Sequence, residues 1–96
     1  MSVLTVVATV KAKKGFEKEV GSILKKLIEP TLKERGCINY DLHESINTPG
    51  VYVFHENWES KALLDAHLQT DHIKKCQESL DGKTASTELF LLNKIN

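Results

Sequence analysis

From Val3 to Ala12 the apolar positions alternate: Leu4, Val6, Ala8, Val10 and Ala12 fall on one side of an extended chain, and Val3, Thr5, Val7 and Thr9 on the other. A period of two predicts a strand. Lys13-Lys14-Gly15 ends it, and the period then changes. Phe16, Val20, Ile23, Leu24, Leu27 and Leu32 recur at helical spacing. Pro30 should kink that helix or begin its last turn, because its ring clashes with the carbonyl four residues back. Gly36 stands where a C-terminal cap is expected. Cys37 to Glu44 predicts a second strand, Asn47-Thr48-Pro49-Gly50 a hairpin turn, and Val51 to Trp58 a third strand. Ser60 can cap a helix carrying Leu63, Leu64, His67 and Leu68. Thr70-Asp71 interrupts it and can start another short helix with Ile73, Cys76, Gln77 and Leu80. After Asp81-Gly82-Lys83, Ala85 to Ile95 predicts a last strand, with Leu89 and Leu91 on one face and Phe90 and Leu92 on the other.

The order β-α-β-β-α-(α)-β predicts an α+β fold of the split-βαβ, ferredoxin-like kind: an antiparallel sheet with helices on one face. The 96 residues fit one domain, 1–96. A chain this short buries only about 60–65% of its unfolded surface, so its own core is thin. The face away from the helices should be polar and wet. Instead Val3 and Val7, Val51 and Val53, and Phe90 and Leu92, or their alternates, leave it apolar. A second copy of the sheet is the simplest cover, which predicts a two-fold homodimer, a dimeric α/β barrel.

Thirteen basic residues balance thirteen acidic ones. A neutral chain is not built around nucleic acid or an anionic membrane surface. No stretch approaches the roughly 18 apolar residues of a membrane span. Met1 to Val10 lacks a basic leader and a small-residue cleavage site. A cytoplasmic location is expected, with Cys37 and Cys76, in no CxxC pair, as reduced thiols.

The candidate chemistry lies in the histidines and one carboxylate. His67 shares the apolar stripe of its helix with Leu64 and Leu68, so it faces the sheet as either a hydrogen-bonded structural residue or a catalyst. His72 opens the next helix, where the first turn's free N–H groups favour its neutral form; it is either a functional partner or a plain helix-start residue. Glu56 stands between Phe54 and Trp58 on one side of the third strand. A buried carboxylate needs a partner or a raised pKa. Glu56 therefore points to water, pairs with a cation, or meets a histidine across a pocket, with His67 as the candidate. No metal site is expected: there is no HExxH, and His67 and His72 have the wrong spacing for two ligands on one helical face. A GxGxxG motif and a phosphate loop are also missing.

Glu56-Asn57-Trp58-Glu59-Ser60, Leu63, Ala66-His67-Leu68-Gln69-Thr70 and His72 together resemble the E-x-W-x-S…L…A-H-L-x-T-x-H signature of the antibiotic biosynthesis monooxygenase (ABM) superfamily. Gly36-Cys37-Ile38-Asn39-Tyr40 resembles the G-C-x-x-Y start of its second strand, and Val10 to Gly15 its opening from strand through a basic-Gly turn to helix. The pattern is most similar to that of the bacterial quinol monooxygenases. The resemblance implies a dimeric barrel with a pocket between sheet and helices. It also implies oxidation of a quinol or polycyclic aromatic by O₂ with no flavin, haem or metal. The haem-degrading branch is a poor match: the first strand has no Asn, and the last helix offers Cys76, Gln77 and Glu78 where a ligand His would stand.

Such chemistry needs a base near neutrality, since a phenol-like pKa is about 10. His67 or His72 would take the proton and Glu56 would orient it. Trp58, Phe54 and Tyr40 would wall a dry pocket, and Asn39 would donate to the oxyanion. Two alternatives stand beside this. One is an isomerase of the autoinducer-2 processing type, which would need a cationic phosphate contact where the only Arg, Arg35, lies at a helix end. The other is a non-catalytic ligand-binding dimer.

Overall fold

The computed structural model describes residues 3–96; Met1 and Ser2, the start of the segment read above for a leader, lie outside them. The elements run β1 (Leu4–Ala12), α1 (Glu17–Lys25), α2 (Ile28–Leu32), β2 (Cys37–Glu44), β3 (Val51–Trp58), α3 (Lys61–Leu68), α4 (Asp71–Leu80) and β4 (Thr84–Leu92). The four strands form one antiparallel sheet in the order β2-β3-β1-β4. This is the α+β, ferredoxin-like arrangement that the change of hydrophobic period predicts.

The predicted first helix is two helices. The ring nitrogen of Pro30 cannot donate to the Lys26 carbonyl. The chain tightens just before it, with Lys26 N–H to Ile23 O at 3.2 Å and Leu27 N–H to Leu24 O at 3.1 Å. Pro30 then sits inside α2 rather than in the last turn of a continuous helix. The last strand also ends sooner than expected, at Leu92, leaving Ile95 almost wholly exposed.

Alternation sets the core. Val6, Val10 and Ala12 of β1, Tyr52, Phe54, Glu56 and Trp58 of β3, and Tyr40 of β2 are buried under the helices. They meet Val20, Leu24, Leu27, Leu64, Ile73 and Cys76 from above. The helices do not reach β4, whose residues from Ala85 to Leu92 are all exposed. On the open face an apolar stripe of Val7, Val53, Phe90 and Leu92 adjoins a polar ladder. Thr5 Oγ1 donates to Asn57 Oδ1 (2.6 Å), Asn57 Nδ2 to Asn39 Oδ1 (2.8 Å), and Asn39 Nδ2 to Asp41 Oδ2 (3.0 Å). The face is therefore mixed, less uniformly apolar than the strand patterns suggest.

Gly36 controls the turn between α2 and β2. Its φ is +85°, and a Cβ built there would run into the side chain of Leu63 on α3. Only glycine combines that backbone with so close an approach. The turn therefore lies directly against α3. Gly36→Ala should destabilise the fold by about 2 kcal/mol or more, through strained φ and steric overlap together. The midpoint of urea unfolding checks this; a shift under 0.5 kcal/mol would contradict it.

Candidate active site

The turn held by Gly36 carries Glu34, and Glu34 organises the site. Its Oε2 lies 2.7 Å from His67 Nδ1 and 2.7 Å from His72 Nε2. A carboxylate only accepts, so both ring nitrogens present N–H to it. Charge-assisted contacts this short are strong. Three elements contribute: the turn after α2, the last turn of α3 and the first turn of α4. Thr70 makes the corner between the helices. Its Oγ1 donates to His67 O (2.8 Å) and accepts from Ile73 N–H (3.4 Å), capping α4 while binding the end of α3. This corner brings the two imidazoles, five residues apart, to a centroid separation of 6.1 Å.

His67 is buried, with 2% of its surface exposed. Its ring lies 4.7 Å from Trp58 and 5.6 Å, edge to face, from Tyr40, which stacks on Phe54 at 4.7 Å. Burial pulls the His67 pKa below its usual value; the Glu34 carboxylate opposes this and His72 adds to it. Burial also pushes the Glu56 carboxyl up to about 7, against the lowering effect of the Trp58 hydrogen bond. The Tyr40 hydroxyl is raised by burial as well. Cys76 and Cys37 are free thiols raised to about 11 by burial, so neither is a ready thiolate.

Between sheet and helices lies a cavity of about 160 Å³ whose lining includes neither Trp58, expected as a wall, nor His72. His67, Tyr40, Phe54 and Glu56 line it with Leu64 and Cys76, and none of its lining residues is a lysine or arginine.

The predicted residues are distributed as follows. His67, His72, Glu56, Trp58, Phe54 and Tyr40 all lie on the helix side of the sheet. The expected Glu56–His67 contact is replaced by two others: Trp58 Nε1–H donates to Glu56 Oε1 at 2.9 Å, and His67 turns to Glu34. The buried Glu56 and the partly buried Glu34 thereby each have a donor. Asn39 is not at the cavity. Strand register puts it opposite Asn57, on the open face, where its side chain is used by Asn57, Asp41 and the His55 carbonyl. It cannot donate to an oxyanion on the other side of the sheet. Glu34 was not anticipated. It lies in the charged run Lys33-Glu34-Arg35, which has no periodicity, and only the following glycine hints at a specialised turn.

The antiparallel sheet with helices and a cavity on one face defines an α+β, ferredoxin-like domain. The family model for antibiotic biosynthesis monooxygenase matches residues 3–79. The probable quinol monooxygenase YgiN of Escherichia coli K12 is 32% identical over 99 residues, covering 93% of this chain and 95% of that protein. The uncharacterized protein sll1783 of Synechocystis is 31% identical over 90 residues, and this chain spans 61% of its length. The crystal structure of PA3566 from Pseudomonas aeruginosa superposes with a TM-score of 0.95 at 25% identity, covering 100% of this chain and 97% of that one. The chain belongs to the antibiotic biosynthesis monooxygenase family.

The pKa shifts give a signed prediction. The native Glu56 holds a proton between its ordinary pKa of 4.5 and about 7. The unfolded chain does not, so this group lowers stability as pH rises through that window, by about 3 kcal/mol at most. His67 works in the opposite direction, contributing stability above its ordinary 6.5 that is lost as pH falls below it. Glu56→Gln keeps an oxygen for Trp58 and removes the first effect. Its stability relative to wild type should rise from pH 5 to about pH 7 and level off above that. Urea midpoints across that range test it, and a constant difference would refute the buried-carboxyl assignment.

Proposed function

We propose that the chain is a cofactor-independent monooxygenase that oxidises a small hydroquinone-type aromatic with O₂, acting as a homodimer in the cytoplasm. The observation that carries this is a buried imidazole, fixed through Nδ1 by Glu34, beside an apolar cavity with no lysine or arginine in its lining. The name of the E. coli relative, a probable quinol monooxygenase, supports the same substrate class.

Ground-state O₂ is a triplet and reacts slowly with closed-shell molecules, but an electron-rich phenolate reduces it by one electron. His67 Nε2, the nitrogen not used by Glu34, takes the phenolic proton. Glu34 stabilises the imidazolium through Nδ1–H, as an orienting carboxylate does for a general base. His72, a quarter exposed, links the same carboxylate oxygen to solvent and gives the proton a way out. The phenolate passes one electron to O₂; the resulting semiquinone and superoxide combine at a ring carbon. The O–O bond then breaks so that hydroquinone plus O₂ yields hydroxyquinone plus water. Tyr40 and Phe54, which line the cavity, exclude water around the ring, and Trp58 packs behind His67. Glu56, bonded to Trp58, acts as a wall carboxyl that shares in proton handling near neutral pH.

The cavity narrows the substrate. A void of about 150 Å³ holds a benzene ring, so about 160 Å³ suits one ring before any repacking. A phosphorylated ketone would need cations. Lys26 and Lys75 line a different groove of about 230 Å³, together with His72. The lack of lysine and arginine in the cavity lining supports the monooxygenase reading over the isomerase alternative.

The open face supports the dimer. Val7, Val53, Phe90 and Leu92 form a stripe that a second sheet would cover, and the Thr5–Asn57–Asn39–Asp41 ladder would fix its register. Sedimentation should give two chains per particle, and Phe90→Lys should shift it to one, since an unpaired charge in a buried interface costs several kcal/mol. A folded wild-type monomer at micromolar concentration refutes the dimer.

Oxygen uptake tests the reaction. Methylhydroquinone should be turned over faster than the bicyclic menadiol. His67→Ala should lower turnover at least about tenfold, and Glu34→Gln by a similar factor, with far-UV spectra unchanged. Enzyme-dependent uptake that survives His67→Ala removes His67 as the base.

A further inference from the structure

We propose that Glu34, His67 and His72 form a binding site for a divalent first-row transition-metal ion. The donor atoms, one carboxylate oxygen and two imidazole nitrogens, lie within 4.8 Å of one another. Each comes from a different element, so the cluster is a product of the fold rather than of local sequence. Two histidines and one carboxylate suit Zn²⁺, Co²⁺ or Fe²⁺; Mg²⁺ and Ca²⁺ prefer oxygen donors. Three protein ligands also leave coordination positions open for water or an anion.

The geometry is close to what an ion requires. Ligand bonds of about 2.0–2.2 Å around a tetrahedral ion hold neighbouring donors about 3.3 Å apart. Each 2.7 Å nitrogen–oxygen contact must therefore open by about 0.6 Å. Glu34 lies in a turn and, like His72, reaches solvent, so both can give way and an ion has an entry path; His67 is the buried anchor. The ion would replace the two N–H protons that now join the three groups, so His67 Nδ1 and His72 Nε2 would meet it as bare lone pairs.

The inference uses the side chains of the proposed active site but does not depend on quinol oxidation. An ion on Nδ1 would place the remaining His67 proton on Nε2 and block the base. Metal occupancy and base catalysis are therefore mutually exclusive states of one cluster.

The test is titration of chelator-stripped protein with Co²⁺ and Zn²⁺. The expected result is one Co²⁺ per chain at micromolar concentration, with the visible absorption of a four- or five-coordinate ion, displaced by Zn²⁺. His72→Ala, a partly exposed change, and Glu34→Gln should each weaken binding at least tenfold. Histidine-selective NMR of the unaltered protein should show His67 and His72 resonances moving with Zn²⁺ while those of His43 and His55 stay fixed, which keeps the test valid if a variant misfolds. Stoichiometric binding that leaves His67 and His72 resonances in place, affinity unchanged in a folded His72→Ala, or no binding would each overturn the site. Oxygen uptake by metal-free protein is scored separately. Uptake without metal binding refutes the metal site alone, and metal binding without uptake in the stripped protein refutes the oxidation alone.

Discussion

A dry core only one layer thick must satisfy its polar groups from within, and that constraint shapes this molecule. Glu56, His67 and the Trp58 indole all lie in the layer between sheet and helices. An unpaired buried polar group costs about 1–3 kcal/mol, more if charged. If Glu56 turned to His67, the Trp58 N–H would lose its acceptor and Glu34 would lose one of its donors. The observed pairing, Trp58 to Glu56 and His67 to Glu34, leaves each of them with a partner. The same pairing commits Nδ1 of His67 and leaves the opposite nitrogen free. The contacts that satisfy the core are thus the same ones that would fix the tautomer of His67 in the proposed role of base.

Local pattern disclosed much of this. The strand faces follow from alternation, and the helix starts from Ser60 and Thr70, whose hydroxyls accept from Leu63 and Ile73 N–H. The helix-side placement of Tyr40, Phe54, Trp58 and His67 follows from the same periodicities. What stayed hidden depends on contacts distant in sequence. Glu34 is 33 and 38 residues from its two histidines. No rule of spacing relates a turn residue to two later helices. Spacing along one helix likewise says nothing of how His67 and His72 stand to each other, because the corner at Thr70 puts them on two helices. Asn39 and Tyr40 are neighbours on β2, so alternation alone puts them on opposite faces and only Tyr40 can reach the cavity.

The two faces of the sheet divide the physical tasks. The helix face is closed and builds the cavity. The open face mixes an apolar stripe, suited to supplying association energy, with an amide and carboxylate ladder, suited to specifying alignment. β4 stands outside the helical cover with leucines on both sides. A strand so exposed at a sheet edge is a liability for a lone subunit. The homodimer proposed above would relieve it, and association would then stabilise the same β1 and β3 that hold the cavity.

Glu34 also explains why the site can be reached at all. A core histidine paired with a core carboxylate would be sealed from solvent, with no route for protons. Here the carboxylate comes from a turn at the rim, and its second partner, His72, is partly exposed. The buried imidazole is thereby connected to a partly exposed group through one oxygen atom. A proton and a transition-metal ion have the same requirement of that oxygen and the two nitrogens around it: a small cationic centre among three donors. In the proposed reaction the cluster passes protons; the proposed ion would occupy the same three donors, and which of the two they held would decide whether the imidazole could act as a base.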